Sequence, residues 1–289
     1  GEGTLVAQAR GYYARAEMMG RMAYYAKRSR NTELSQKFED IRTNNLNKIV
    51  GIFKIDELSS TLLSICAEYL FLKKDYVKAL EYSEYVLEHF RSSDFSDYAS
   101  YVKGEIFLKQ GKAKDALLTF KEAVDADVMY NKEKEILLGY AHALVETGDL
   151  VAASKVFNDI VTNAKAYKGT DYVAWALFYL GQIEEKRRNP NTAINYYRRC
   201  FLTWRKFGYI TANAYLRVAD IFIQKGDKVA AYETLADMLK EGNPAASEPV
   251  AAQARQLQST LPPPPPKETE PTEPTVVTSA APAPAPDSK

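Results

Sequence analysis

One alanine recurs along this chain at a nearly fixed interval. Ala79, Ala116, Ala153, Ala193 and Ala231 stand 37, 37, 40 and 38 residues apart. Four or five residues before each comes a turn signal: Lys74-Asp75, Gly111-Lys112, Gly148-Asp149, Arg188-Asn189-Pro190 and Gly226-Asp227. Gly suits the left-handed conformation that closes one helix, Asp or Asn caps the next, and Pro190 fits a first helical turn. Each interval therefore reads as helix, tight hinge, helix. A chain whose bulk repeats at this period has to stack like units, because one unit cannot bury its apolar face alone.

The residues flanking the alanines follow the same order. Twelve positions earlier stands a small residue every time, Ala67, Gly104, Ala141, Gly181 and Ala219, which allows two helix backbones to approach closely. One turn before these, Leu63, Leu137, Leu177 and Tyr215 fill the space beside them. Four residues after the alanines come Ser83, Phe120, Phe157, Tyr197 and Leu235, and three later Val86, Ala123, Ile160, Cys200 and Met238. The i, i+4, i+7 spacing puts these on one face of the second helix, toward its partner.

With these residues in place the chain resembles the tetratricopeptide repeat family, whose units run W-x2-L-G-x2-Y, then A-x3-F, then P. "LLGYAHALVETGDLVAASKVF" (137–157) and "GEIFLKQGKAKDALLTFKEAV" (104–124) carry the pattern most plainly. The resemblance covers about residues 58–240 as five units and implies an all-α, right-handed α-solenoid. It departs from the family in unit length and in the absent terminal proline, with Arg91, Val128, Lys165, Arg205 and Asn243 at the matching places. Lys103 and Glu184 also stand where the family has apolar residues. Longer helices or looser turns between units should result.

The resemblance further implies a non-catalytic scaffold that binds a protein or peptide in a concave groove walled by the first helix of each unit. The matching places hold Ser64 and Glu68, then Tyr98, Tyr101 and Glu105, then Leu138, His142 and Glu146. The fourth unit supplies Trp175, Phe178, Tyr179 and Gln182, the fifth Asn213, Arg217 and Asp220. Acids and aromatics predominate, so the lysine, arginine and asparagine clamp with which some co-chaperone repeats grip a terminal carboxylate is not expected. An extended or helical segment presenting apolar side chains, and a basic one, suits such a wall.

The ends of the array read differently. Residues 1–57 hold further helices, broken at Ser29-Arg30-Asn31, as a degenerate repeat or cap before the five repeats of 58–243. In 244–261, Ser247 and Pro249 suit a helix start, and Val250, Ala254, Leu257 and Leu261 form one stripe, as expected of a capping helix. Ten of the 13 prolines lie from Pro262 onward, where 262–289 has no aromatic and no glycine and is expected to be a disordered spacer.

Catalysis has little material here. Only two histidines occur, His89 and His142, and no HExxH, GxSxG, Walker A or GxGxxG is present. The reading is of a chain that is no enzyme and uses no cofactor, metal or small-molecule substrate. Cys66 and Cys200 sit far apart among apolar residues and read as small buried hydrophobes. The 38 basic and 37 acidic residues nearly cancel, which disfavours nucleic acid as a partner. An RNA-binding alternative would use Lys186-Arg187-Arg188, Arg198-Arg199 and Arg205-Lys206 with Tyr196, Tyr197 and Trp204; a structural oligomerisation module is the other rival. No run of residues is apolar enough for a membrane span. The Pro/Ala/Thr/Glu extension and the long units are similar in style, though in no single motif, to bacterial envelope and outer-membrane assembly lipoproteins, which would imply a periplasmic setting.

Overall fold

The computed structural model describes residues 2–265, and among these every regular element is helical. Residues 266–289, most of the Pro-rich extension, lie outside the described residues. Among the described residues thirteen α-helices follow one another, linked by short connections. They pair in sequence as α1 (Glu2–Arg28) with α2 (Thr32–Ile52), α3 (Ser60–Leu72) with α4 (Tyr76–His89), and α5 (Ser96–Lys109) with α6 (Ala113–Asp125). The series continues with α7 (Glu133–Thr147) and α8 (Leu150–Thr162), α9 (Tyr172–Lys186) and α10 (Pro190–Thr203), and α11 (Gly208–Gln224) and α12 (Lys228–Leu239). The short α13 (Ala251–Ser259) packs against α12. No helix among the described residues is long and apolar enough to cross a membrane.

The hinges form by a common backbone device. Lys74, Gly111, Gly148, Arg188 and Gly226 all adopt positive φ, from 62° at Arg188 to 93° at Gly148. At four of them the next amide donates to the carbonyl five residues back, as from Asp75 to Leu70 (3.0 Å), Lys112 to Phe107 (2.9 Å), Asn189 to Glu184 (2.8 Å) and Asp227 to Phe222 (2.9 Å). That bond satisfies a carbonyl orphaned at the helix end. The carboxylates of Asp75, Asp149 and Asp227 then accept from the amides of Lys78, Ala152 and Ala230 and cap the second helix. Asn189 makes no side-chain cap; its side-chain N–H donates to the Glu184 carboxylate (3.0 Å), and Pro190 fills the first helical turn.

Each hinge folds the second helix back so that its stripe meets the small residue of the first. Phe120, Phe157, Tyr197 and Leu235 are fully buried, as are the small residues opposite them. Cys66 and Cys200 are buried free thiols, and burial pushes both pKa values up to about 12. The charges of Lys103 and Glu184 are both paired. Lys103 pairs with Glu84 (3.1 Å), and Glu184 with Arg187 (2.7 Å).

The connections between units are longer than the hinges within them, and where the connection is shortest, before α11, the helix itself runs to 17 residues. Thr162 and Tyr172 are separated by a 310 turn at Ala164–Tyr167, and Asp125 and Glu133 by an irregular loop. These connections leave the first helices side by side: α3 touches α5, α5 touches α7, α7 touches α9, and α9 touches α11. The second helices do not contact each other to a comparable degree. A row of pairs that is closer along one side is concave on that side, so the first helices form the inner face of an α-solenoid.

At the C-terminal end the fold differs from expectation in one detail. Ser247 ends a 310 turn (Pro244–Ser247), and α13 starts later, with Val250 as its uncapped first flank. The turn is held by Gly208, where an added β-carbon would stand 2.7 Å from the Pro244 carbonyl oxygen. The chain therefore closes over α11 before α13 begins.

Candidate functional site

The first helices α5, α7 and α9 bring their side chains together around a recess in the inner face. A cavity of about 470 Å³ opens there, lined by Tyr101, Glu105, Leu108 and Lys109 of α5, Glu135, Leu138, Gly139 and His142 of α7, and Asp171, Tyr172, Trp175 and Tyr179 on or beside α9. Each helix contributes residues three or four apart, such as Tyr101 and Glu105, Leu138 and His142, and Trp175 and Tyr179, which places them on one face. Trp175 stacks on Tyr179 (centroids 5.7 Å apart), and Tyr179 in turn lies against Phe157 (5.2 Å) and His142 (4.6 Å). The Tyr179 hydroxyl is hydrogen-bonded to His142 Nδ1 (3.2 Å). These contacts fix an aromatic wall whose rings lose little freedom when something binds against them.

Burial dominates the titration of this wall. It lowers the pKa of His142, so the ring is neutral at pH 7, and it raises those of Tyr101, Tyr172 and Tyr179 with help from nearby carboxylates. Burial also raises the pKa of Glu105, which Lys109 offsets only in part. Glu135 adds to the upward push on Tyr172, and Asp171 accepts from the Tyr209 hydroxyl.

One unit toward the N-terminus, the loop before α7 inserts a lysine into the same face. The Lys132 ammonium pairs with Glu68 (2.5 Å) and lies 4.4 Å from the centre of the Tyr98 ring and 5.5 Å from that of Tyr101. Burial opposes its charge, yet the Glu68 carboxylate outweighs that and raises the Lys132 pKa. The loop is pinned by Asp97, a buried carboxylate at the start of α5 that accepts from the backbone amides of Asn131 and Lys132 (2.8 Å to the latter).

The expected site residues thus separate into groups. Tyr101, Glu105, Leu138, His142, Trp175 and Tyr179 line the cavity. Glu68 and Tyr98 hold Lys132 beside it. Phe178 belongs to the core instead: the helical turn that aims Tyr179 inward sends Phe178 against Tyr197 of α10 (5.5 Å), where it is buried. Ser64 is likewise buried. Arg217 is committed to Glu185, with Nε 3.0 Å from the carboxylate, and the Tyr197 hydroxyl donates to the same group. Asp220 flanks Arg217 at 3.9 Å, Gln182 is half-buried outside the cavity, and the Asn213 amide donates to Tyr209 of its own helix (2.8 Å).

Glu135, Asp171, Tyr172 and Lys132 were not expected. Asp171 and Tyr172 sit where a first helix starts, and that position alone could have flagged them. The role of Lys132 depends on Asp97, more than thirty residues away in sequence, and no local pattern announces it. The basic pairs also have partners: Arg187 meets Glu184 and the Leu150 carbonyl, Arg198 lies over Phe222 (5.6 Å), and Arg199 over Tyr196 (5.8 Å).

No family model matches the chain, and no curated protein matches it. Among solved structures it is similar to one described as the crystal structure of the P58(IPK) TPR domain. That likeness has 14% sequence identity, covers 85% of this chain and 66% of that chain, and has a TM-score of 0.30.

Proposed function

We propose that the protein is a non-catalytic scaffold that holds a segment of another protein along the inner face of its first helices, anchored at the cavity between α5, α7 and α9. The observation that carries this reading is the wall of Trp175, Tyr179 and Tyr101, which leaves large aromatic surfaces open around a cavity of about 470 Å³. Rigid aromatics in a concave, partly apolar site are where binding energy concentrates. A cavity open to solvent along a row of helices suits a chain segment, which can continue past the site on both sides.

The test is selection from a random peptide library displayed on phage against the full chain, followed by binding to the Trp175→Ala and Tyr101→Ala variants. Enriched peptides whose affinity drops tenfold or more in both variants, with helicity unchanged by circular dichroism, support the reading. Peptides bound equally well by both variants, or no enrichment at all, contradict it. RNA retained in a salt-sensitive manner by Arg187, Arg188, Arg198 and Arg199 would point to the other use of the repeat.

A further inference from the structure

Glu105 stands apart from the other acids of the inner face. Glu68 has Lys132, Glu135 lies 3.7 Å from the same ammonium, and Asp171 has the Tyr209 hydroxyl. Glu105 lines the cavity with neither a hydrogen bond nor an ion pair among the described residues. It is held in a setting that disfavours its charge, as the upward push of burial on its pKa shows. Packing alone does not ask for a carboxylate here, because Gln or Leu would fill the same place on α5 without that cost.

The surroundings of Glu105 favour one kind of charge. Three carboxylates, Glu105, Glu135 and Asp171, line the cavity with Lys109; Lys132 lies against Glu135 but is already paired with Glu68, and His142 is neutral. The faces of Tyr101, Trp175 and Tyr179 present the negative side of their ring quadrupoles. An apolar side chain placed here would bury the carboxylate without a counter-charge, and an anion would be repelled. The same surface already shows the matching chemistry one unit away, where an acid and two tyrosines hold the Lys132 ammonium.

We propose that the cavity between α5, α7 and α9 receives a lysine or arginine side chain of the bound segment, with Glu105 as its counter-ion and Trp175, Tyr179 and Tyr101 as its walls. This rests on the reading of the inner face as a holder of protein segments. A charge-assisted pair formed in a partly desolvated site is directional and little screened by salt, so the basic residue would set the register of the whole segment.

The experiment takes peptides selected by phage display against the full chain and resynthesises each with its lysine replaced by norleucine or its arginine by citrulline. Binding is measured by calorimetry to the unaltered protein, to Glu105→Gln and to Trp175→Ala. The expected result is a basic residue shared by the selected peptides, with a loss of tenfold or more on replacing it. Glu105→Gln should cause a similar loss, and the two changes together should cost little more than either alone. Peptides that bind and require Trp175 but tolerate both norleucine and Glu105→Gln overturn this proposal and leave the scaffold reading standing. Failure to select any peptide overturns both. Thermal melts of Glu105→Gln show whether the variant is folded, and the peptide replacements need no protein variant at all.

Discussion

The tip of the Phe120 ring occupies the space that a β-carbon on Gly104 would need: Cζ lies 2.3 Å from that position. It lies 2.4 Å from the corresponding position on Gly139, so a single ring of α6 is seated between the backbones of α5 and α7. Phe120 belongs to the second helix of its own unit and Gly139 to the first helix of the next. The ring therefore sets the spacing both within a unit and between units, and with it the width of the inner face where Glu105 and His142 stand.

Gly104→Ala should destabilise the protein by about 1–3 kcal/mol, because the added methyl meets a fully buried ring that has no room to move. Phe120→Leu in the same chain should recover part of that loss, although each change alone is unfavourable. Urea melts of the four proteins in this cycle measure the coupling. Additive losses would mean that ring and glycine do not share one space.

Lys74 and Arg188 hold the left-handed hinge position that glycine occupies in the other three units, at φ 65° and 62°. Both are exposed, so their side chains add little there. Lys74→Gly and Arg188→Gly should each stabilise by roughly 0.5–1 kcal/mol, the relief of left-handed strain exceeding the entropy that glycine adds to the unfolded chain. Chemical denaturation checks the sign, and a loss in both variants would mean that the hinges are not strained.

Glu185 joins the fourth and fifth units through Arg217 and also accepts from the hydroxyl of buried Tyr197 in its own unit. Glu185→Ala should cost about 2 kcal/mol, since it leaves that hydroxyl without a partner. Arg217→Ala removes a partly exposed cation and should cost roughly 1 kcal/mol or less. Neither change should weaken a peptide that docks at Trp175. A binding loss from Arg217→Ala would return that residue to the contact surface.

The raised pKa of Glu105 fixes the sign of its contribution to stability. The native state takes up this proton more readily than the unfolded chain, so ionised Glu105 destabilises the fold at neutral pH and the penalty fades as pH falls through the raised value to the unfolded one, about 4.3. Glu105→Gln should therefore raise stability at pH 7 by about 0.5–2 kcal/mol, with no gain below about pH 4. Lys109, His142, Glu135 and Asp171 face the same cavity and remain in both proteins, so comparing the two pH profiles isolates Glu105. A variant less stable at pH 7 would mean that the carboxylate has a partner in the fold.

The repeat was legible because it is local. Gly111, Gly148 and Gly226 announce hinges by their backbone freedom, and Ala116, Phe120 and Ala123 share a face by spacing alone. The inner face was legible only to within one residue of register. Phe178 and Tyr179 are neighbours about 100° apart on α9, so a small rotation of the helix decides which ring meets Tyr197 and which meets the cavity. Arg217 could not be separated from the surface residues by sequence, because its partner Glu185 lies in the preceding unit. Lys132 escaped altogether: a loop of irregular backbone places it, and Asp97 holds that loop.

Photo-crosslinking inside the source cells tests most directly whether the inner face holds a protein segment. Benzoylphenylalanine would replace Leu138 in the cavity wall and, separately, the exposed Leu118 of α6 and Val151 of α8. The account predicts a discrete protein adduct from position 138 that disappears with Trp175→Ala, and none from 118 or 151. Adducts from the outer positions with none from 138 would contradict it.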